Sequence, residues 1–135
     1  MEAAQISALA LYVGLNLLLT FLLALNVVRH RFKGDSADQV MLEKAVRAHG
    51  NNTEYVPIIL IGLCVMAVTG ASAQTISILG GTLFVARLFH AYGIQQTKMP
   101  NIFGMVGNIV TWLVILCACL LYTSEAADEW LRVGV

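Results

Sequence analysis

The sequence predicts an all-α membrane protein: a bundle of four transmembrane helices running up and down, joined by short loops. Three observations predict it. The chain of 135 residues is 59% hydrophobic and only 12% charged, and a soluble domain of this size has too much surface for its volume to hide so many apolar side chains. Four apolar stretches are each long enough to cross a hydrocarbon core of about 30 Å, which takes roughly 20 helical residues. The few charges fall between those stretches and sum to zero, so no global field draws in nucleic acid.

The spans form a single membrane domain over residues 1–135, with helices expected near 6–28, 39–69, 74–93 and 102–123. The first is apolar apart from Asn16 and Asn26, and Arg29, Arg31 and Lys33 stop it. A polar loop, 34–38, follows, with Asp38 placed to cap the next helix because its carboxylate accepts an orphan backbone N–H. The second helix opens amphipathic, with Val40, Leu42 and Val46 interleaved by Glu43, Lys44 and Arg47, and turns apolar from Val56 to Val68. It is longer than a bilayer is thick, so its first turns stand in water or among headgroups, and Pro57 threatens to kink it. The turn at 70–73 is short, which makes helices two and three antiparallel neighbours. Gly80 and Gly81 permit close helix contact in the third span. The fourth carries Trp112, reaches its interface near Tyr122, and is followed by an acidic tail with Glu125, Asp128 and Glu129.

Lysine and arginine surround loop one (Arg29, Arg31, Lys33, Lys44, Arg47), and Lys98 lies in loop three, whereas loop two has neither. Loops one and three are therefore expected in the cytoplasm and both termini across the membrane. The N-terminus lacks a basic region and a small-residue cleavage signal, so the first span is expected to stay as a membrane helix. Cys64, Cys117 and Cys119 lie in apolar runs without metal-ligand spacing and read as packing residues.

The segment from Arg47 to Pro57 carries the chemistry. On a helix, Arg47, Asn51, Glu54 and Tyr55 fall at i, i+4, i+7 and i+8, one face offering a cation, an amide, a carboxylate and a phenol where the helix enters the apolar layer. The third span holds an embedded cation, Arg87, with His90 a turn later. Charge in the apolar layer is costly, so Arg87 needs an anion, and Glu54 is the acid placed to meet it between helices two and three. That structural ion pair either pins the two helices or belongs to a site. His49 sits one residue off the polar face and is open between site and loop. His30 reads as a headgroup histidine, and the glycosylation match at Asn51-Asn52-Thr53 as chance.

These residues resemble a family. Arg47-Ala48-His49, Asn51, Glu54-Tyr55 and Pro57, with Arg87 and His90 on helix three, are similar to the signature of the membrane-associated proteins of eicosanoid and glutathione metabolism, MAPEG, most of all its short bacterial members. The resemblance implies a bacterial inner-membrane location and a homotrimer that holds glutathione as co-substrate between protomers near the cytoplasmic face. Arg47, Asn51, Glu54, Tyr55, His90 and Arg29 would contact it, and lipophilic molecules or lipids would arrive from the bilayer. Arginines suit its two carboxylates and Glu54 its ammonium. The implied activity is that of a glutathione transferase or peroxidase attacking lipophilic electrophiles with the thiolate. Catalytic members place a thiolate-stabilising arginine at the start of helix four; here Asn101-Ile102-Phe103 stands there, and Lys98 is the nearest cation. A tyrosine some members carry after the helix-three histidine is Ile94 here, with Tyr92 close by. Two other functions therefore stand beside turnover. One is a non-catalytic protein of this kind that binds a lipid or a partner. The other is a small proton-coupled exporter, although that class carries its carboxylate in helix one, which has no acid between Ile6 and Val28.

Overall fold

The computed structural model describes residues 2–33, 36–96 and 100–133. Four helices account for nearly all of them: α1 (Ala3–Arg31), α2 (Ser36–Thr69), α3 (Ala73–Gln95) and α4 (Ile102–Val133). Each contains a stretch long and apolar enough to span a bilayer.

Local chemistry sets the ends. Glu2 and Gln5 form a reciprocal capping box that starts α1, and Arg29, His30 and Arg31 fill its last turn, where the helix dipole favours cations. α2 starts at Ser36 rather than near residue 39, so Asp38 stands inside the helix instead of before it. It then runs unbroken through Pro57. Gly70, at φ 113°, ends it, and the Ala71 N–H returns to the Met66 carbonyl at 2.9 Å, the wrap that a left-handed glycine makes possible. The Ser72 hydroxyl accepts the Thr75 N–H at 3.1 Å and opens α3. Asn101 opens α4, its Oδ1 accepting the Phe103 N–H at 2.9 Å. α4 continues through the tail to Val133 instead of stopping near residue 123. Loop three at residues 97–99, with Lys98, lies outside the described residues.

Hydrogen bonds between helix ends establish the up-down order. Gln5 donates to the Ala71 carbonyl at 2.6 Å, joining the chain start to the turn between α2 and α3. At the other end Asn26 donates to Gln95 Oε1 at 2.9 Å and Lys44 to the Gln96 carbonyl at 2.7 Å, so loops one and three share that end. α2 and α3 each pack on the other three helices, whereas α1 and α4 do not meet among the described residues.

Glycine sets the closest approaches. Gly80 and Gly81 receive the ring of Tyr12 from α1. Gly93 faces the backbone of Gly104, and Gly107 faces the Ala86 carbonyl and the His90 backbone, so α3 and α4 touch main chain to main chain. Two apolar clusters fill the bundle. One, around Leu63, Met66, Ile76 and Leu83, lies toward loop two. The other, around Leu19, Leu23, Ala48 and Ala91, lies toward loops one and three. Outward faces are apolar as well, including Leu17, Phe21, Ile58, Ile78 and Leu116, as lipid contact requires. Cys64, Cys117 and Cys119, read from the sequence as packing residues, are free and lie on those exposed faces.

The cap on α4 has a testable value. Asn101→Ala should lower stability by about 1 kcal/mol through loss of the N-cap, while Asn101→Asp should retain it. Thermal unfolding of the purified variants in detergent measures the difference, and equal midpoints for the two would show the cap to be idle.

Candidate functional site

Between the two apolar clusters lies a layer of buried polar side chains: Asn16, Asn52, Arg87, His90 and Thr111. Arg87, fully buried, organises it. Its Nε donates to Asn52 Oδ1 at 3.1 Å and its Nη2 to Asn51 Oδ1 at 2.8 Å. Its guanidinium carbon lies 5.9 Å from the centre of the Tyr55 ring, a cation–π contact. Asn52 in turn donates to Thr20 Oγ1 at 2.9 Å, and Thr20 to the Asn16 carbonyl at 2.8 Å. A single polar chain thus runs from α3 through α2 into α1.

The expected ion pair of Arg87 with Glu54 is not what the structure forms. Asn51 and Asn52 take the guanidinium, and Glu54 is exposed. Helix geometry is the reason: residues two apart do not face the same way, so once Asn52 points at α3, Glu54 points out of the bundle. Neutral amides also satisfy the cation without burying a second charge, whose desolvation often exceeds the Coulombic gain.

Toward the end shared by loops one and three, α2, α3 and α4 enclose a cavity of about 400 Å³. Lys44, Arg47 and Asn51 line it from α2, His90 from α3, and Asn101 and Asn108 from the start of α4. Of the residues expected to share a site, Arg47, Asn51 and His90 meet here. Arg29 and Glu54 do not; both are exposed outside this cavity. Tyr55 is half-buried one turn deeper, between Arg87 and Trp112, whose indole N–H donates to the Tyr55 hydroxyl at 3.4 Å. His49 is not among the lining residues.

Sequence reasoning missed Lys44, Asn52 and Asn108. Lys44 is seven residues before Asn51 and three before Arg47, so it shares their face. Asn52 was findable: Ala45, Ala48, Asn52, Val56, Ile59 and Leu63 form the buried stripe of α2, and a polar residue on such a stripe needs a partner. Asn108 left no comparable signal.

His90 is 7% exposed, and its Nδ1 lies 3.0 Å from the Gly104 carbonyl. That carbonyl only accepts, so Nδ1 carries the hydrogen and fixes the tautomer. The Gly93–Gly104 contact makes the bond possible by bringing the two backbones together. Nε2 of His90 and Oδ1 of Asn108, both buried, have no hydrogen-bond partner, nor has Nη1 of Arg87. Asn101 has no charge to offer at the position where the resemblance expects an arginine, and its Oδ1 is engaged in capping α4. A second cavity, about 390 Å³ and almost wholly apolar, opens between α3 and α4 beside Val85, Phe89, Val106 and Val110.

The sequence is similar to known proteins. A protein named inner membrane protein YecN from Escherichia coli (strain K12) is 33% identical over 116 residues, covering 82% of this chain and 86% of its own. The YecN protein of Escherichia coli O6:H1 matches to the same extent. The MAPEG family matches residues 9–123, which reaches into all four membrane spans and takes in the whole polar layer. Signature, fold and match converge: the chain belongs to the MAPEG family.

Proposed function

We propose that this protein binds glutathione in the cavity between α2, α3 and α4 and acts as a glutathione transferase or peroxidase on lipophilic electrophiles, by thiolate attack. The observation that carries the reading is the cavity lining. Lys44 and Arg47 supply two cations, and Asn51, Asn108 and His90 supply neutral polar groups at its depth. Glutathione has two carboxylates, an ammonium, two amides and a thiol; the two cations suit its carboxylates, the guanidinium of Arg47 in particular. The apolar cavity beside Val85 and Phe89 gives a lipophilic second substrate a place to arrive from the bilayer.

The same reading includes a homotrimer. Arg29, Glu54 and the open edge of Tyr55 lie outside the cavity on outward faces, where a neighbouring copy would bring them against a shared ligand. Loops one and three face the cytoplasm by their lysine and arginine content, and the relative's description as an inner membrane protein supports that membrane for this chain.

A calorimetric titration of glutathione into the detergent-solubilised protein tests binding, and conjugation of a generic aryl halide tests turnover. Absence of binding sinks the proposal. A second reading, non-catalytic binding of a lipid or partner, is favoured by one observation: the start of α4 presents the capping Asn101 and no arginine. Binding without conjugation would select it.

Arg47→Ala is expected to weaken glutathione binding about ten-fold to a hundred-fold, the loss of a hydrogen bond to a charged group being worth about 1.5–3 kcal/mol. Lys44→Ala should cost less, because Lys44 is already engaged with the Gln96 carbonyl, whereas Arg47 is exposed at the cavity wall. Equal losses for the two variants would contradict the assignment of Arg47 to the ligand.

A further inference from the structure

We propose that His90 is the general base of this site, taking the thiol proton of bound glutathione on Nε2 and so doing the work for which the start of α4 has no arginine. The inference rests on the glutathione reading above and adds a role to it. Three observations carry it.

The first is the fixed tautomer. With Nδ1–H directed at the Gly104 carbonyl, the neutral ring has its lone pair on Nε2. Gly93, Gly104 and Gly107 hold the ring there, because the backbone of His90 itself rests against Gly107 and admits no slack.

The second is the missing partner. Nε2 is buried in a residue that lines the cavity, yet no protein group donates to it, and Asn108 Oδ1 beside the same cavity is also a buried acceptor without a donor. Buried acceptors are rarely left so. Two acceptors with no donor call for a ligand group that brings a hydrogen. The surrounding charge selects its kind. Lys44 and Arg47 on α2 and Arg87 on α3 are cationic, and α4 contributes the neutral Asn101 and Asn108. A lone new positive charge is disfavoured there, whereas a neutral donor that becomes an anion is favoured, and that anion beside it offsets the charge of the imidazolium formed with it. A thiol meets both conditions.

The third is the placement of Arg87, one helical turn before His90 on α3, with Nη1 still unpartnered. Its positive charge favours the sulfur anion over the thiol without supplying a base. The step balances simply. The S–H bond breaks with its electron pair left on sulfur, the Nε2 lone pair forms the new N–H bond, and the Nδ1–H bond to Gly104 is kept. Nothing is oxidised, and the resulting imidazolium is a donor toward the thiolate it created.

The test uses the detergent-solubilised protein saturated with glutathione at neutral pH. Thiolate absorbance near 240 nm (an approximate working wavelength) reports ionisation, and calorimetry in two buffers of different ionisation enthalpy reports protons released per ligand bound. Wild type is expected to show the thiolate signal with almost no proton released, since His90 retains it, and His90→Gln to lose most of the signal at saturation. The proton count needs only the wild type, so it decides the matter even if His90→Gln does not fold. A thiolate signal with close to one proton released per ligand overturns the proposal, because cations alone would then be acidifying the thiol. An undiminished signal in His90→Gln overturns it, and so does glutathione bound by wild type as the thiol, which leaves the binding reading intact. Failure of wild type to bind glutathione removes both.

Discussion

Asn52→Leu is expected to destabilise the folded bundle by about 2–4 kcal/mol, the loss of one hydrogen bond to a charged group and one between neutral groups. Asn52 is fully buried and does two things at once, accepting from Arg87 Nε and donating to Thr20. Leucine does neither, and it leaves the guanidinium with Asn51 and the Tyr55 ring. Asn52→Asp separates the two roles: it keeps an acceptor for Arg87, now a charged one, and loses only the donor to Thr20. Thermal or denaturant unfolding in detergent should therefore rank wild type above Asn52→Asp and Asn52→Asp above Asn52→Leu. If the two variants unfold together, the bond to Arg87 contributes nothing, and Thr20 is the partner that matters.

The second large effect is asymmetric between two facing glycines. A Cβ at Gly93 would fall inside the Gly104 backbone, 2.5 Å from its Cα and 2.9 Å from the Phe103 carbonyl carbon, and neither helix has a flexible side chain there to yield. A Cβ at Gly104 would meet Gly93 no closer than 3.6 Å, an ordinary contact. Gly93→Ala should therefore force α3 and α4 apart, at the upper end of the about 1–3 kcal/mol that overpacking costs. It should also break the His90–Gly104 bond and lower glutathione affinity. Gly104→Ala should be near neutral, since alanine has the better helix propensity by about 1 kcal/mol. Unfolding midpoints and glutathione titration of the pair check this. A tolerated Gly93→Ala would mean that the helices are less closely packed than the main-chain contact requires.

The bundle was legible because its determinants are local: stretches of apolar residues, a basic first loop, a glycine and a serine at the turn between α2 and α3. Arg87 was equally legible as a cation in need of partners. The partner was not, because the argument went by charge while the fold chose by direction. Asn52 and Glu54 are two residues apart, and only the buried stripe from Ala45 to Leu63 tells which of them faces α3. The fourth span ends where the apolar content does, at Ser124, but apolar content marks where a helix leaves the membrane, not where it stops, and the tail after Thr123 keeps its helical geometry to Val133. Of the site, Arg47 and Asn51 could be gathered from spacing and His90 from the family resemblance, but the orphaned Nε2 could not. It depends on a backbone carbonyl from α4, and so on a crossing of two helices that no pattern within either one records.

The polar layer also constrains how the chain enters the bilayer. α3 has the least apolar spanning stretch of the four helices, and it carries Arg87 in its second half. Alone in lipid, an arginine at the middle of a span costs roughly 2.5–3.5 kcal/mol even on the mildest insertion scales. Both hydrogen-bonding partners of that arginine reside on α2, the segment synthesised just before, and only Gly70, Ala71 and Ser72 separate the two helices. The economical route is for α2 to remain at the exit of the insertion machinery until α3 emerges, so that the two partition into lipid as a hairpin with two guanidinium nitrogens already hydrogen-bonded. A residue that holds the finished bundle together would then also set the order of its assembly during synthesis.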